Sequence, residues 1–491
     1  MSYRIGVDIG TTSTKAVLYG ENLEKIASAN VGYRTYHDQP GFSEQEPMEI
    51  YHAFTQAVKE VLAGSGEWKN DVSLISFSGA MHALILVDRE GNPLTRSVIW
   101  SDNRSVKEVE NFKLKEDFMK HYRNTGTPIH SMSPFFKLKW FSNHTELLRK
   151  THKAIGIKEF IIQRLTGQYI VDYSIASATG MFNIHELKWD KSALEYLGIS
   201  EELLSQPKDV ISCLRMNNPS FLHETGLSDD VKIMIGASDG CLANLGSGAM
   251  KEGETTLTIG TSGAVRMTVK EPRLDAEGRT FCYYLKKDCF VIGGAVNNGG
   301  NVLSWFDGIF YEGKGKVFED LSMNITKIRR GSDGLLFIPY LHGERAPYWD
   351  GSLTASFFGM NAFHEKAHFV RAAVEGILFN LKEVLMRLET IGGATLKLTA
   401  SGGFLKSESW KRLLAEIFAM DIYTQDSEDS SCLGAVLLDE TLAPLTDGNR
   451  QQTPVTYEEN NSDMYQAYFE RYLWYSGKIA KLQKEGRELF P

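Results

Sequence analysis

An aspartate, two threonines and a lysine stand close together in DIGTTSTK, the segment that spans residues 8–15. Small residues at a strand turn let main-chain N–H groups approach an anion, and hydroxyl groups add further donors. We therefore expect Thr11, Thr12 and Lys15 to contact phosphate, with Asp8 placed to hold Mg²⁺ beside it. The alternative is an ordinary hairpin whose glycine and threonines only satisfy turn geometry. The segment is not a P-loop, because GxxxxGK[ST] occurs nowhere in the sequence.

A similar segment, TIGTSG at residues 258–263, lies about half the chain further on. Its Gly260 and Thr261 are expected to cradle phosphate from a second hairpin, and Thr258 stands where the first segment has Asp8. A repeat at half the chain length indicates two similar domains facing each other, with a nucleotide between them. Chance similarity over five residues is the alternative.

The elements that must position these residues follow from the hydrophobic pattern. Residues 1–19 alternate as two strands around a Gly/Thr-rich turn, a third strand follows, and Pro47 opens a helical pattern. Val72–Phe77 reads as a further strand that ends at Ser78. This βββαβ order predicts an α/β fold. Together with the repeat, it predicts one domain over residues 1–249 and another over residues 250–491.

Two later strand ends carry further candidate residues. Asp239 follows a predicted strand and precedes a small-residue helix, whose N-terminus favours an ionised carboxylate. Such a carboxylate can take a proton from a hydroxyl that attacks a γ-phosphate, although a plain helix cap is the alternative. Gly402 and Gly403 follow another strand, where paired glycines allow close approach of a planar ligand such as adenine. A simple turn is the alternative there.

Composition excludes several classes of protein. The 491 residues include 53 basic and 62 acidic side chains, a net charge of −9 that argues against a dedicated nucleic-acid binder. No apolar run reaches the roughly 18 residues that a membrane span needs, and no signal peptide is apparent. The five scattered cysteines predict buried free thiols in a reducing cytoplasm rather than a zinc site or disulfides. We expect a cytoplasmic protein without nucleic-acid or membrane partners.

Two long segments resemble the signatures of a known family. Met132–His144 (MSPFFKLKWFSNH) fits the first signature of the FGGY carbohydrate kinases, and Ala355–Glu375 (ASFFGMNAFHEKAHFVRAAVE) fits the second. Gly359, His368 and Glu375 stand at fixed points of the second signature. The resemblance extends over essentially the whole chain. It implies two ribonuclease-H-like domains of the actin and hexokinase type, with ATP and a sugar in a central cleft.

The resemblance also implies roles for individual residues. Asp8 matches the magnesium-associated aspartate, and Asp239 matches the catalytic base, which also contacts the acceptor and the metal. The nucleotide contacts would be Thr11, Thr12 and Lys15 at the first phosphate site, Gly260 and Thr261 at the second, and Gly402 and Gly403 at adenosine. The sequence departs from the family near Ser407, where an asparagine is common.

Three segments match the family's acceptor-binding positions. They contain Ala80, Met81 and His82 in SGAMH, Trp100, Asp102 and Arg104 in WSDNRS, and Tyr173 in DYSIAS. With TGTPIH at residues 125–130, they are most similar to the gluconate-phosphorylating branch, while xylulose kinases share the Met-His pair. A carboxylate substrate requires a fixed cation, for which Arg104 and Arg345 are candidates. A structural His82, a core Trp100 and structural ion pairs at both arginines are the alternatives.

These observations predict an ATP- and Mg²⁺-dependent sugar or sugar-acid kinase that converts D-gluconate to 6-phosphogluconate. A xylulose or other pentulose kinase is the alternative within the family. An actin-like ATPase that gates partner binding, or an inactive sugar sensor, is the alternative outside it. A homodimer is compatible with the sequence.

Overall fold

The computed structural model describes residues 2–63, 68–425, 429–439, 454–457 and 459–489. The strands in these ranges are β1 (Tyr3–Ile9), β2 (Ser13–Tyr19), β3 (Lys25–Gly32), β4 (Glu44–Gln45), β5 (Val72–Gly79), β6 (Ile85–Val87), β7 (Ser97–Val98), β8 (Lys153–Ile155), β9 (Ile170–Asp172), β10 (Phe182–Asn183), β11 (Lys188–Trp189), β12 (Gln206–Lys208), β13 (Cys213–Arg215), β14 (Lys232–Ser238), β15 (Glu254–Ile259), β16 (Gly263–Val269), β17 (Phe281–Lys286), β18 (Cys289–Val296), β19 (Leu336–Ile338), β20 (Ser356–Phe358), β21 (Lys397–Ser401), β22 (Ile422–Thr424) and β23 (Pro454–Val455).

The helices are α1 (Pro47–Ala63), α2 (Val106–Lys115), α3 (Phe118–Thr125), α4 (Pro134–His144), α5 (Ile157–Thr166), α6 (Tyr173–Ser177), α7 (Lys191–Leu197), α8 (Pro219–Thr225), α9 (Asp239–Gly246), α10 (Gly300–Tyr311), α11 (Lys316–Glu319), α12 (Leu321–Lys327), α13 (Lys366–Gly392), α14 (Glu408–Phe418), α15 (Ser430–Leu437) and α16 (Glu459–Leu489). Contacts divide the chain into two compact units. The first comprises residues 1–250, 270–291 and 428–449, and the second comprises residues 251–269, 292–427 and 450–491. The expected boundary between residues 249 and 250 stays a prediction.

The first unit is built on a six-stranded sheet with the order β13-β14-β5-β1-β2-β3. Strands β14, β5 and β1 are parallel, whereas β1, β2 and β3 form an antiparallel meander. The predicted hairpin, the third strand, the helix from Pro47 and the strand from Val72 are all present. The sheet therefore gathers the carboxyl ends of three parallel strands at one edge.

Helices pack on both faces of this sheet, because successive strand residues point to opposite sides. Helix α1 contributes Phe54 and Val58 to a core that also contains Ile5 and Val7 of β1. Helix α15 packs against the alternate residues of β1 and β2. Gly6 permits this contact, because a Cβ there would lie 2.2 Å from the carbonyl oxygen of a residue in α15.

A second apolar cluster of the first unit surrounds helix α4, which carries the first signature. It joins buried side chains of α2, α3, α4, α6 and α7. The Ser133 side chain accepts from the Phe135 N–H, and Pro134 occupies the first turn, so the signature begins as a capped helix. Phe112 of α2 packs edge-on against Phe135 and Phe136. This packing fixes the position of α4 in the first unit.

The second unit contains strands in the order β18-β16-β15-β21-β22-β23. Helix α13, 27 residues long and largely buried, packs against β16 and β19. The second signature runs from β20 into this helix. Its Glu375 accepts hydrogen bonds from the Gly331 N–H at 3.1 Å and from the Ser332 hydroxyl at 2.8 Å. The fixed glutamate of the signature is therefore a buried structural acceptor.

The two sheets repeat one order of strands. In the first unit β1 pairs with the antiparallel β2 on one side and with the parallel β5 on the other. In the second unit β15 pairs in the same way with β16 and β21, and β22 continues the parallel edge as β14 does in the first. The repeated topology supports the internal duplication inferred from the two hairpin sequences.

In the parts of the chain that the structure describes, no helix is both long enough and apolar enough to cross a membrane. All five cysteines are free thiols. Four of them are buried as expected, but Cys213 is exposed because it lies on the short strand β13 at the edge of the sheet.

Candidate active site

Asp8 lies near the carboxyl end of β1, where the first predicted phosphate hairpin begins. It pairs with Lys15 across the hairpin and with Ser78 on β5. The Ser78 hydroxyl donates to Oδ1 of Asp8 over 2.6 Å. Burial raises the pKa of Asp8, while the Ser78 bond and the charges of Lys15 and Lys158 oppose that rise. A fixed donor thus orients a carboxylate at the end of a strand.

Thr11 and Thr12 form the tip of this hairpin, where Thr11 is half-buried and Thr12 is exposed. The Gln45 side-chain amide donates to the Thr11 carbonyl oxygen. The indole Nε1–H of Trp100 donates to the Thr11 hydroxyl over 3.2 Å. Trp100 therefore links a predicted acceptor segment to a predicted phosphate segment within the first unit.

Lys15 lies on β2 and is already engaged in an ion pair. Its Nζ is 2.9 Å from Oδ1 of Asp429, and Nζ of Lys25 is 2.5 Å from the other carboxylate oxygen. Asp429 directly precedes α15. The expected contact between Lys15 and phosphate stays a prediction.

Asp239 is the first residue of α9 and directly follows β14, as the sequence predicts. Its Oδ1 accepts the Gly240 N–H at 2.7 Å. Because β5 lies between β1 and β14, Ser78 pairs with Asp8 on one side and with Ala237 on the other. Asp8 and Asp239 therefore stand at the same edge of one parallel sheet, across two strand spacings of about 4.8 Å each.

Ala80, Met81 and His82 follow β5 at this edge. The Ala80 N–H donates to the Ile9 carbonyl at 2.8 Å. His82 is buried and has a φ of 69°, a left-handed conformation that is uncommon for a residue with a Cβ. Its Nδ1 lies 2.9 Å from the carbonyl oxygen of Ala178, which fixes one side of the imidazole ring.

Lys137 of α4 donates hydrogen bonds to one predicted acceptor segment and to the residues just before another. Its side chain is fully buried, and its Nζ donates to the carbonyl oxygens of His82 at 2.6 Å, Val98 at 3.1 Å and Ile99 at 2.7 Å. Burial lowers the pKa of Lys137 to about 7. The amine thus holds the carbonyl of His82 and the backbone just before Trp100.

Tyr173 begins α6, which Asp172 caps. Its half-buried ring packs edge-on against Tyr284 of β17, with 5.4 Å between ring centroids, and lies 5.6 Å from the Phe182 ring. Tyr284 in turn donates its hydroxyl hydrogen to Asp209 over 2.7 Å. Strand β17, although late in the chain, therefore shapes the surroundings of a predicted acceptor residue in the first unit.

Arg104 makes the contacts of a structural ion pair. Its side chain is only 3% exposed, and it donates to Asp102 from Nε at 2.9 Å and from Nη2 at 2.8 Å. Nη2 also lies 2.5 Å from Oε1 of Glu44, and the Phe42 ring covers the guanidinium at 3.9 Å. The protein's own carboxylates thus occupy these donors. A contact with a substrate carboxylate stays a prediction.

Arg345 belongs to the second unit and is half-buried. Its Nε donates to the Asn297 side-chain oxygen at 2.7 Å, and its Nη2 donates to the Val296 carbonyl at 3.1 Å. Glu344 accepts the main-chain N–H groups of Asn297 and Arg345. Arg345 is therefore tied to the segment that precedes α10.

Gly260 and Thr261 are exposed at the tip of the second hairpin, between β15 and β16. Their carbonyl oxygens accept the N–H groups of Gly300 at 2.8 Å and Asn301 at 3.1 Å, so α10 begins against this hairpin. The Thr258 hydroxyl lies 3.0 Å from the Ser401 hydroxyl. Thr258 and Ser401 occupy in this sheet the places that Asp8 and Ser78 occupy in the other.

Gly402 and Gly403 follow β21, as predicted. Gly402 has a φ of 118°, and a Cβ there would lie 2.1 Å from the Ile259 carbonyl oxygen, so only glycine fits beside β15. Gly403 is exposed, with space around its Cα. Ser407 caps α14 by accepting the Trp410 N–H at 3.3 Å. Ser407 therefore has a local structural role as the N-cap of α14.

Asp8 is the candidate metal ligand at the first hairpin. Within the described ranges, no group of three or more His, Cys, Asp or Glu residues could enclose a metal ion. Mg²⁺ does not require such a cage, because it commonly uses one or two carboxylates with water and phosphate oxygens. The single, oriented carboxylate of Asp8 fits that mode.

Sequence reasoning missed three buried residues that support this region. Lys137 stands within the first signature, but its partners are main-chain carbonyls remote in sequence. Lys158 and Asp172 form an ion pair beneath the edge that carries Asp8 and Asp239. No local signal marked these lysines, because α4 also contains Lys139 and α5 also contains Glu159 and Arg164.

Family models match nearly the whole chain. The N-terminal domain of the FGGY family of carbohydrate kinases matches residues 3–246, and the C-terminal domain matches residues 255–439. A gluconokinase from Bacillus subtilis (strain 168) is 43% identical over 449 residues, which cover 89% of this chain and 87% of the relative. A xylulose kinase from the same organism is 30% identical over 441 residues, covering 89% and 88%.

Two solved structures from Lactobacillus acidophilus share the fold. The ligand-bound xylulose kinase has a TM-score of 0.92 at 34% identity and covers 98% of this chain and 99% of its own. The gluconate kinase has a TM-score of 0.91 at 34% identity and covers 98% of both chains. They confirm the predicted two-domain α/β fold of the actin and hexokinase type. The chain therefore belongs to the FGGY family of carbohydrate kinases.

Proposed function

We propose that this kinase transfers the γ-phosphate of ATP to a sugar acid, with D-gluconate as the preferred acceptor and 6-phosphogluconate as the product. The observation that carries the proposal is the greater sequence identity to the Bacillus subtilis gluconokinase than to the xylulose kinase, over a similar share of the chain. The acceptor segments SGAMH and WSDNRS also resemble those of the gluconate-phosphorylating branch.

Asp239 is the proposed general base. It takes the proton of a primary hydroxyl, whose oxygen bonds to the γ-phosphorus while the bond from that phosphorus to the bridging oxygen of ADP breaks. The position of Asp239 at the start of α9 suits this role, because the helix N-terminus favours the ionised carboxylate that the step consumes.

Phosphate contacts are proposed for the hydroxyl-rich hairpins. These contacts are Thr11, Thr12 and Lys15 in the first unit and Gly260 and Thr261 in the second, with adenosine at Gly402 and Gly403. Asp8 is the residue that would hold Mg²⁺, and Asp239 is a second candidate ligand. When bound, the ion supplies positive charge to the phosphate oxygens. The Ser78 hydroxyl keeps the Asp8 carboxylate in a fixed orientation.

Acceptor contacts are proposed for Ala80, Met81, His82, Trp100 and Tyr173. The main-chain bond from Ala80 to Ile9 and the indole bond from Trp100 to Thr11 support this, because they tie the acceptor segments to the hairpin that carries Asp8. Arg104 and Arg345 are the two candidate cations for the substrate carboxylate. The contacts of Arg104 with Asp102 and Glu44 favour the structural alternative for Arg104.

A pentulose such as xylulose is the second candidate acceptor, because the solved xylulose and gluconate kinases are equally similar to this chain. Both candidate acceptors are tested by measuring ADP formation from Mg-ATP with gluconate, xylulose, ribulose or glycerol as the acceptor. We expect the highest kcat/KM with gluconate. A preference for xylulose would overturn the assignment of gluconate as the acceptor but not the assignment as a carbohydrate kinase. ADP formation that no polyol stimulates would overturn the acceptor-kinase proposal and favour an ATPase that gates partner binding.

A further inference from the structure

A buried ion pair supports the sheet edge that carries the two aspartates. Lys158 of α5 and Asp172 at the end of β9 have side chains that are 1% and 0% exposed, with Nζ and Oδ2 2.7 Å apart. Burial lowers the pKa of Lys158 and raises that of Asp172, and their mutual attraction opposes both shifts. Because such a pair gives little net stability over an apolar pair of similar size, its position calls for another explanation.

The lysine reaches the strand that leads into Asp239. Nζ of Lys158 donates to the Ala237 carbonyl oxygen at 2.8 Å. The aliphatic part of Lys158 lies across Gly79 at the end of β5, where an added Cβ would come within 3.0 Å of the lysine Cβ. One side chain therefore spans the ends of β5 and β14.

Asp172 acts on the same strand end, that of β14, through helix α6. Oδ1 of Asp172 accepts the Ile175 N–H at 2.8 Å and so fixes the first turn of that helix. The hydroxyl of Ser174 in this turn lies 2.9 Å from the Ser238 hydroxyl and accepts the Ser238 N–H at 3.2 Å. The two residues that precede Asp239 are thus both held, Ala237 by Lys158 and Ser238 by Ser174.

We propose that Lys158 and Asp172 are positioning residues that fix Asp239 for proton transfer by holding Ala237 and Ser238. The inference rests on the proposed role of Asp239 as the general base. The pair acts through main-chain and serine contacts on the strand, so it sets where the carboxylate stands. A displacement of about 1 Å at a reacting group can reduce the rate on the order of 10²-fold.

The test separates positioning from stability. Lys158→Met leaves Asp172 buried without its partner and should lower the melting temperature markedly. In the double variant Lys158→Met/Asp172→Asn no charge is left unpaired, and asparagine retains the cap of α6. We expect the double variant to melt near the parent temperature, with kcat roughly 10- to 100-fold lower and KM for ATP changed less than about twofold. Parental kcat in a parent-like fold would overturn the proposal.

Lys153→Met is the control. Like Lys158, Lys153 holds main-chain carbonyl oxygens through its Nζ, in this case those of Glu202 at 2.6 Å and Leu204 at 2.9 Å. That segment carries no candidate site residue, so kcat should equal that of the parent. A loss of kcat in this control equal to that of the double variant would overturn the specific role of Lys158.

Ser174→Ala decides the matter if the double variant does not fold, since it removes one hydroxyl and leaves the ion pair intact. We expect kcat to fall about fivefold, as for one lost hydrogen bond. Unchanged kcat would contradict the proposal. A parent without acceptor-dependent ADP formation would instead overturn the proposed function. Loss of turnover in Asp239→Asn with parental turnover in the double variant would overturn only the positioning role.

Discussion

Asp8 and Asp239 stand at one edge of the first-unit sheet with a single strand between them. Ser78 on that strand pairs with Asp8 on one side and with Ala237, two residues before Asp239, on the other. The second unit repeats the strand order but has Thr258 beside Ser401 at the corresponding place. The duplication therefore places the carboxylate only in the first unit, where the proposed base also lies.

Replacing Asp8 by asparagine tests its proposed association with Mg²⁺. We expect kcat for gluconate phosphorylation to fall roughly 10²-fold or more, because electrostatic stabilisation of developing charge is lost. The Mg²⁺ concentration that gives half-maximal rate should rise. Ser78→Ala, which removes only the orienting hydroxyl, should cost about fivefold. A parental Mg²⁺ titration for Asp8→Asn would contradict the assignment.

Lys137→Met should impair acceptor binding more than ATP binding. The variant removes the donor shared by the carbonyls of His82 and Ile99, so the segments next to His82 and Trp100 lose their common anchor. We expect KM for gluconate to rise about tenfold or more with little change in KM for ATP, as for loss of ground-state acceptor binding. Lys139→Met, on the same helix, is the control and should behave as the parent. An equal change in both KM values would argue against the anchor.

Arg104→Met should destabilise the protein without changing acceptor preference. It leaves the buried carboxylate of Asp102 and the nearby Glu44 without their guanidinium, which should lower the free energy of unfolding by about 3 kcal/mol. The ratio of kcat/KM for gluconate to that for xylulose should stay constant. A loss confined to gluconate would place the substrate carboxylate on Arg104.

His121 makes the stability depend on pH. Its ring lies 5.2 Å from the Phe112 ring and 4.4 Å from the Phe135 ring, and burial lowers its pKa to about 4. The unfolded chain, with a histidine pKa near 6.5, binds more protons between these values, so stability falls as the pH drops from about 6.5 towards 4. Between pH 7 and pH 5 this amounts to about 2 kcal/mol.

Chemical denaturation of the parent and of His121→Phe at both pH values checks this. Phenylalanine fits among the neighbouring rings and does not titrate, so the variant should lose about 2 kcal/mol less on acidification. An identical loss in the two proteins would show that His121 does not titrate as proposed.

The local elements around the site could be predicted from sequence because their signals are local. Alternating apolar residues predicted the hairpin whose first strand carries Asp8, and the small-residue segment after β14 predicted the helix that begins at Asp239. Since parallel strands present their carboxyl ends at one edge, the strand order β14-β5-β1 brings Asp8 and Asp239 to the same edge of the sheet.

The supporting contacts could not be predicted, because their partners are remote in sequence. Lys137 binds carbonyls 38 to 55 positions away, and Lys158 binds one 79 positions away. A main-chain carbonyl also has no sequence signature. The same holds for Arg104, whose second carboxylate, Glu44, lies 60 positions upstream. Only the fold shows whether such a charge faces a ligand or the protein itself.

Single-turnover phosphorylation of gluconate by Asp239→Asn, measured alongside the Kd for ATP, most directly tests whether one carboxylate primes the acceptor hydroxyl. Asparagine has nearly the same shape but cannot accept the proton, so the rate should fall roughly 10²- to 10⁴-fold while the Kd for ATP changes little. Near-parental turnover in this variant would contradict the role of Asp239 as the base.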